Sequence, residues 1–138
     1  MMRVPSAFWI VSAMLAAGIA MAPARAAPVA LSALEPGQWD LVPRASGGAP
    51  IRICVHDGLS LIQIKHPGQN CRQFVVEDSA ERSSIAYSCP RTGHGRTVVR
   101  VETPRLVQID SQGVADGYPF ALDLEGRRTG NCTPMARK

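Results

Sequence analysis

The feature that most constrains the fold is an apolar–polar alternation with a period of two, which recurs from Cys71 to Glu125. Successive side chains of a β-strand point to opposite faces, so this alternation predicts an antiparallel sheet with one buried and one solvated face. Short turn-rich segments separate the strands, and consecutive strands are therefore expected to pair as a meander. The apolar members of the pattern are Phe74, Val76, Ile85, Tyr87, Cys89, Val99, Val101, Val107, Ile109, Tyr118, Phe120, Leu122 and Leu124.

The segment before this pattern adds two strands and a helix. Residues 34–42 contain a Pro-Gly turn followed by a short strand with Trp39, and residues 51–55 alternate as a second strand. Residues 57–65 fit a helix capped by Asp57, although a strand is the alternative there. The predicted fold is mainly β: a single curved antiparallel sheet, a meander with a partial barrel as the alternative, and one short helix.

The N-terminal segment has the three parts of a secretory signal. Arg3 supplies positive charge, residues 8–22 form a run of 15 residues in which Ser12 is the only polar one, and Ala24-Arg25-Ala26 is a peptidase site. A membrane-spanning helix needs roughly 20 apolar residues, and this run is shorter. An uncleaved membrane anchor is therefore the less favoured interpretation. We expect a signal peptide over residues 1–26, cleavage after Ala26 and an exported, periplasmic protein with no stable membrane insertion.

The chain that remains after cleavage is expected to have three parts. We expect a flexible N-terminus over 27–33, a single domain over 34–133 and a tail over 134–138. Removal of the signal lowers the excess of Lys and Arg over Asp and Glu from four to two. The remaining cations are interleaved with acids, and this pattern excludes the contiguous basic patch that nucleic-acid binding needs.

Four cysteines remain after cleavage, and an even number in an exported chain predicts two disulfides. Three pairings are possible. We favour Cys54–Cys71, which closes a local loop, together with Cys89–Cys132, which ties the tail to a strand in the middle of the chain.

Metal and redox chemistry are the competing interpretations of these cysteines. His56 lies close to Cys54 and His66 close to Cys71, but the chain has no CxxC or HxxxH pair, the short spacings that structural zinc sites usually show. A redox-active dithiol also needs a CxxC pair. We therefore predict no metal site and no cofactor.

Several short motifs resemble a known family. They are Pro36-Gly37-Gln38-Trp39-Asp40, a cysteine followed by a second one 17 residues later, Tyr87-Ser88-Cys89 and Gly130-Asn131-Cys132. Their order and spacing resemble the domain-of-unknown-function 3617 family of exported proteins from Gram-negative bacteria. The resemblance implies a periplasmic, disulfide-containing, β-rich domain, and it brings no established activity and no catalytic residues.

Two kinds of function remain. A binding or envelope-accessory module would hold an apolar small molecule or another envelope protein, with Trp39 at the mouth of a cavity under the curved sheet and Phe74, Tyr87 and Phe120 inside it. For Trp39 itself the favoured interpretation is a role in the core, because large aromatic side chains usually serve cores, and the cavity is the alternative. We favour the module and predict no catalytic residues, although a purely structural envelope protein is a further alternative.

The second kind of function is a small hydrolase. It would use His56 and Asp57 with a nearby serine, Ser60 or Ser83. No G-x-S-x-G or comparable motif surrounds either serine, so an activated nucleophile is not indicated.

Overall fold

A computed structural model describes residues 27–45 and 47–133. These residues form seven strands and two short helical turns, joined by loops. The predicted signal peptide and the predicted tail lie outside these residues. A short helix, α1, spans Val29–Ser32, and a 3-10 turn spans Gly58–Leu61. The strands are β1 (Gly37–Pro43), β2 (Ile51–Val55), β3 (Arg72–Asp78), β4 (Arg82–Cys89), β5 (Gly93–Thr103), β6 (Leu106–Ala115) and β7 (Tyr118–Gly130).

The strands form one open antiparallel sheet in the order β2-β1-β7-β6-β5-β4-β3. The predicted mainly β fold is confirmed, and so is the meander, which runs from β3 to β7. The last strand, β7, then pairs with β1, so the first and last strands are neighbours inside the sheet, next to the β2 edge. Within the described residues, β2 and β3 are the two open edges.

The strand directions determine how the chain must pass from one edge to the other. Every neighbouring pair is antiparallel, and the sheet has seven strands. Strands β2 and β3 therefore run in the same direction, and the chain has to travel back along the sheet between them. Connections between strands of the same direction need about a dozen residues or more. Here the connection is the 16-residue segment 56–71, which we call the crossover segment.

The crossover segment packs against the buried face of the sheet. Leu61 and Ile62 are fully buried there. The Thr97 hydroxyl on β5 donates a hydrogen bond of 2.5 Å to the Ile62 carbonyl and lies 2.7 Å from the Ser111 hydroxyl. The centre of the sheet thus holds the crossover segment by a buried polar contact as well as by apolar packing.

The helix predicted over 57–65 is wrong in its extent. Asp57 does cap the segment, because its carboxylate accepts the Leu59 N–H at 3.0 Å. The helical turn nevertheless ends at Leu61. An α-helix would bond the His66 N–H to the Ile62 carbonyl. Thr97 occupies that carbonyl, and the His66 N–H bonds Gln63 instead.

The segment predicted to be flexible, residues 27–33, contains helix α1. Its Ala30 and Leu31 are buried, with exposed fractions of 0% and 1%. The Asp78 carboxylate at the end of β3 accepts the Val29 N–H at 2.9 and 3.1 Å and fixes the start of the helix. This helix and the crossover segment together cover the buried face of the sheet. The apolar core that they form with the sheet consists of Leu31, Leu34, Trp39, Leu41, Val55, Leu61, Ile62, Ile85, Tyr87, Cys89, Val99, Val107, Ile109 and Leu124.

The structure pairs the four cysteines differently from our expectation. All four are bonded, as predicted, but Cys54 pairs with Cys132 and Cys71 pairs with Cys89, with Cα–Cα distances of 5.5 and 4.2 Å. The favoured pairing, Cys54–Cys71 with Cys89–Cys132, is wrong. The strand order explains the difference, because β3 lies beside β4, while β1 links β2 to the end of β7.

We predict that Thr97→Val loosens the crossover segment. Valine has nearly the same shape, but the buried Ile62 carbonyl loses the hydroxyl that bonds it and the Ser111 hydroxyl loses one of its contacts. An unsatisfied buried polar group costs about 1–3 kcal/mol of unfolding free energy. Urea denaturation measures this loss. The control Thr129→Val changes an exposed residue and should stay within about 0.5 kcal/mol of the wild type. Equal stability of the Thr97 variant and the wild type would show that the hydrogen bond from Thr97 to Ile62 does not stabilise the crossover segment.

Candidate functional site

A groove lies where the crossover segment meets the two open edges of the sheet. It has a volume of about 560 Å³ and brings together residues of β2, the crossover segment and β3. We call it the seam groove. Its lining residues are Ile53, Cys54, Leu59, Ser60, Gln63, Ile64, Pro67, Gly68, Gln69, Asn70, Cys71 and Gln73.

The seam groove is neutral. Its lining, as far as the structure describes the chain, contains aliphatic side chains, four amides and one hydroxyl, but no charged side chain. Amides supply both donors and acceptors without a charge to desolvate. The groove is therefore suited to a ligand that combines apolar surface with neutral hydrogen-bonding groups.

Hydrogen bonds hold the wall of the groove in place. The Gln63 side-chain amide donates to the carbonyls of His66 and Gln69, at 3.1 and 2.7 Å, and its oxygen accepts from the Gln73 side chain at 3.4 Å. The Thr92 hydroxyl bonds the Gln69 side-chain oxygen at 2.5 Å. These contacts shape residues 63–69 before any ligand arrives, which lowers the entropy cost of binding.

The edge strand beside the groove exposes apolar side chains. Phe74, Val75 and Val76 of β3 are 51%, 59% and 55% exposed. A second groove of about 540 Å³ runs along this strand and shares Leu59, Cys71 and Gln73 with the seam groove. The two grooves are therefore continuous along the β3 edge.

Opposite charges mark the two ends of β3. Arg72 begins the strand and is exposed, while Glu77 and Asp78 end it. Glu77 forms an ion pair of 3.2 Å with Arg82, and Asp78 holds helix α1 and the Ser83 hydroxyl. A ligand lying along this edge meets positive charge at one end and negative charge at the other.

The four aromatic residues predicted to line a cavity do not come together. Trp39 is fully buried in the core, where its indole N–H donates to the Glu35 carbonyl at 3.0 Å. Tyr87 is also buried in the core. Phe74 pairs in register with Ala86, whose face of β4 is opposite to that of Tyr87, and so points away from the core.

Phe120 lies near Tyr87 at one end of the buried face. The His66 ring fills the space between them, with ring centroids 5.4 Å from Tyr87 and 6.3 Å from Phe120, both edge to face. The His66 nitrogens contact the Tyr87 hydroxyl and the Thr92 carbonyl, each at 3.2 Å. Glycine is required at position 95, because a Cβ there would lie 2.6 Å from the Tyr87 hydroxyl. This end of the sheet is filled by its own side chains.

The residues considered for hydrolysis are engaged elsewhere. The Asp57 carboxylate caps the 3-10 turn, and the His56 ring lies 3.6 Å from the Cys54 sulfur. Ser83 is fully buried and donates to Asp78 at 3.0 Å, whereas Ser60 lines the seam groove. This arrangement lends the hydrolase hypothesis no support.

Residues 27–45 and 47–133 hold no group of three or more His, Cys, Asp or Glu side chains placed to bind a metal ion. Over the same ranges, the structure has no helix of the length and apolarity that crossing a membrane takes.

In comparisons with known proteins, no family model, no curated protein and no solved structure matches this chain. The resemblance to the domain-of-unknown-function 3617 family stays a prediction from the sequence.

The sequence interpretation missed the amide side chains of the seam groove. Gln63, Gln69, Asn70 and Gln73 fall within 11 residues. That concentration between two predicted strands was the available signal. Its meaning depends on the strand order, because only the crossover between two open edges places these amides around one groove.

The buried phenol of Tyr87 gives a testable pH dependence. Burial raises the pKa of Tyr87 above its ordinary 10.0, and a hydrogen bond with Ser111 lowers it by less. Because the folded-state pKa is raised, this contribution to stability is complete below pH 10 and is lost as the pH rises through the folded value. In Tyr118→Phe, which leaves Tyr87 as the sole tyrosine, we expect phenolate absorbance to appear above pH 10 and together with unfolding. Ionisation at the ordinary pKa with the fold intact would contradict this.

Proposed function

We propose that this chain is a non-catalytic binding module of the bacterial periplasm and that its binding site is the seam groove. Two disulfides are compatible with an exported protein. The predicted signal peptide and the resemblance to exported proteins of Gram-negative bacteria support the periplasm as its compartment.

One observation carries the proposal. A neutral, amide-lined groove of about 560 Å³ opens between two sheet edges that are unpaired in the described chain. This volume is within the range of about 300–1,000 Å³ that is usual for ligand sites. The ligand is expected to combine apolar and amide-bonding groups, because the groove offers both.

The residues that line the seam groove are also the reason why we propose a non-catalytic module. Catalysis by a serine needs a base within hydrogen-bond reach to activate its hydroxyl. Among the residues that line the groove, Ser60 has the only hydroxyl, and the lining contains no His, Asp or Glu. The groove is equipped to hold a ligand, whereas the groups that would activate a nucleophile lie outside it.

Blocking the groove tests the proposal. The probe is N-phenyl-1-naphthylamine, a neutral apolar dye whose fluorescence rises when it leaves water. We expect the wild type to enhance the fluorescence and Ser60→Trp to reduce the enhancement at least fivefold, because the indole fills the groove. Ala80→Trp, at an exposed turn residue, is the matched control and should bind as the wild type does.

Circular dichroism should confirm that both tryptophan variants keep the fold. Equal enhancement by the wild type and Ser60→Trp would place the dye elsewhere and contradict the proposal. A wild type that does not enhance the dye would favour a purely structural role.

A further inference from the structure

We infer that the occupant of the seam groove is an extended polypeptide strand of another envelope protein, which pairs with β2 and β3 at once and closes the sheet into an eight-stranded barrel. The inference rests on the proposed function and names the class of ligand. The observation behind it is the direction of the two edge strands, which neither the groove's volume nor its lining reveals.

The parity of the sheet favours one added strand. Strands β2 and β3 run in the same direction, because seven strands are joined through antiparallel neighbours. A strand that runs the opposite way is antiparallel to both edges. One such strand supplies hydrogen bonds to each edge, and the barrel then consists of eight antiparallel strands. Two added strands would again leave one parallel pair.

The edges have the properties of a strand-addition site. An unpaired edge offers a row of backbone N–H and C=O groups, and proteins normally protect long, flat, apolar edges. β3 is seven residues long, pairs only with β4 within the described chain, and exposes Phe74, Val75 and Val76. Added strands bind through such main-chain groups, while shallow pockets select their side chains.

The groove has room for a strand. From the usual strand and sheet spacings, a residue in a sheet occupies about 160 Å³. The 560 Å³ of the seam groove therefore holds roughly three or four residues. The continuous groove along β3 takes the rest of a seven-residue strand. Leu59 and Ile64 of the crossover segment, both half-buried, form the floor beneath it.

The charges at the ends of β3 predict the charge pattern of the added strand. An antiparallel strand begins beside Glu77 and Asp78 and ends beside Arg72. Basic residues near its start and acidic residues near its end would complement these charges. The neutral lining between the two ends favours neutral or apolar side chains in the middle of the strand.

A peptide with sequence RSSIAYS, acetylated and amidated, is a suitable probe. It copies residues 82–88, the strand that already complements β3 on its other side, and begins with a basic residue. We expect it to bind the wild type and displace the naphthylamine dye, and Ser60→Trp to bind it at least tenfold more weakly than Ala80→Trp.

N-methylation separates pairing with two edges from pairing with one. Alternate N–H groups of a strand point to opposite edges. Two versions of the peptide, methylated at odd or at even residues, each lose the donors to one edge. We expect each version to bind at least tenfold more weakly. Weakening of one version alone indicates a single edge and overturns barrel closure, and full binding by both versions overturns strand pairing altogether.

Direction and occupant are read from the same complex. A nitroxide on the peptide's amino terminus should broaden the amide signal of Asp78 more than that of Arg72, and the reverse would overturn the antiparallel arrangement. If sedimentation shows a dimer that the peptide dissociates, a second copy is the occupant, and the inference is wrong. If the dye binds in the groove and 1 mM peptide does not, the ligand is a small molecule and the proposed function survives. If neither binds, both fall.

Discussion

The structure depends on the contact between the crossover segment and the buried face of the sheet. With seven antiparallel strands, the chain must return along the sheet between β2 and β3, and the buried Thr97–Ile62 hydrogen bond fixes where it returns. The same segment supplies Leu61 and Ile62 to the core and His66 to the space beside Tyr87. Because the crossover segment covers the apolar face of the sheet, no eighth strand is needed to bury that face. The two edges of the sheet therefore stay open within the described residues.

The disulfides hold these open edges. A strand paired on one side is more easily frayed than a central one, yet Cys71–Cys89 ties the start of β3 to β4 and Cys54–Cys132 ties β2 to the chain after β7. The bonds close loops of 18 and 78 residues. Loop-closure entropy alone gives about 3 and about 4.5 kcal/mol as upper guides. Both bonds lie next to the seam groove, so the covalent links preserve its walls as well as the fold.

Local patterns predicted most of the fold. Period-two alternation predicted β2 at residues 51–55 and the meander of strands from β3 to β7. It succeeded because the direction of a side chain in a strand alternates from one residue to the next. Properties that depend on distant partners were missed. The cysteine pairing follows from strand order, and helix α1 begins at a contact with Asp78, 49 residues beyond Val29. Phe74 was placed in a cavity because alternation does not tell which face of an edge strand is covered.

Native-state amide hydrogen exchange tests most directly whether the β3 edge of the seam groove is open, that is, free of hydrogen bonds. The account predicts that alternate amides of β3, those pointing away from β4, exchange near the rate of unprotected amides. The intervening amides of β3 should be slower, and the amides of β5 and β6 in the centre of the sheet slowest of all. Equal, strong protection of every β3 amide in the isolated protein would contradict the account, since it would mean that this edge is already hydrogen-bonded and offers no place for a ligand strand.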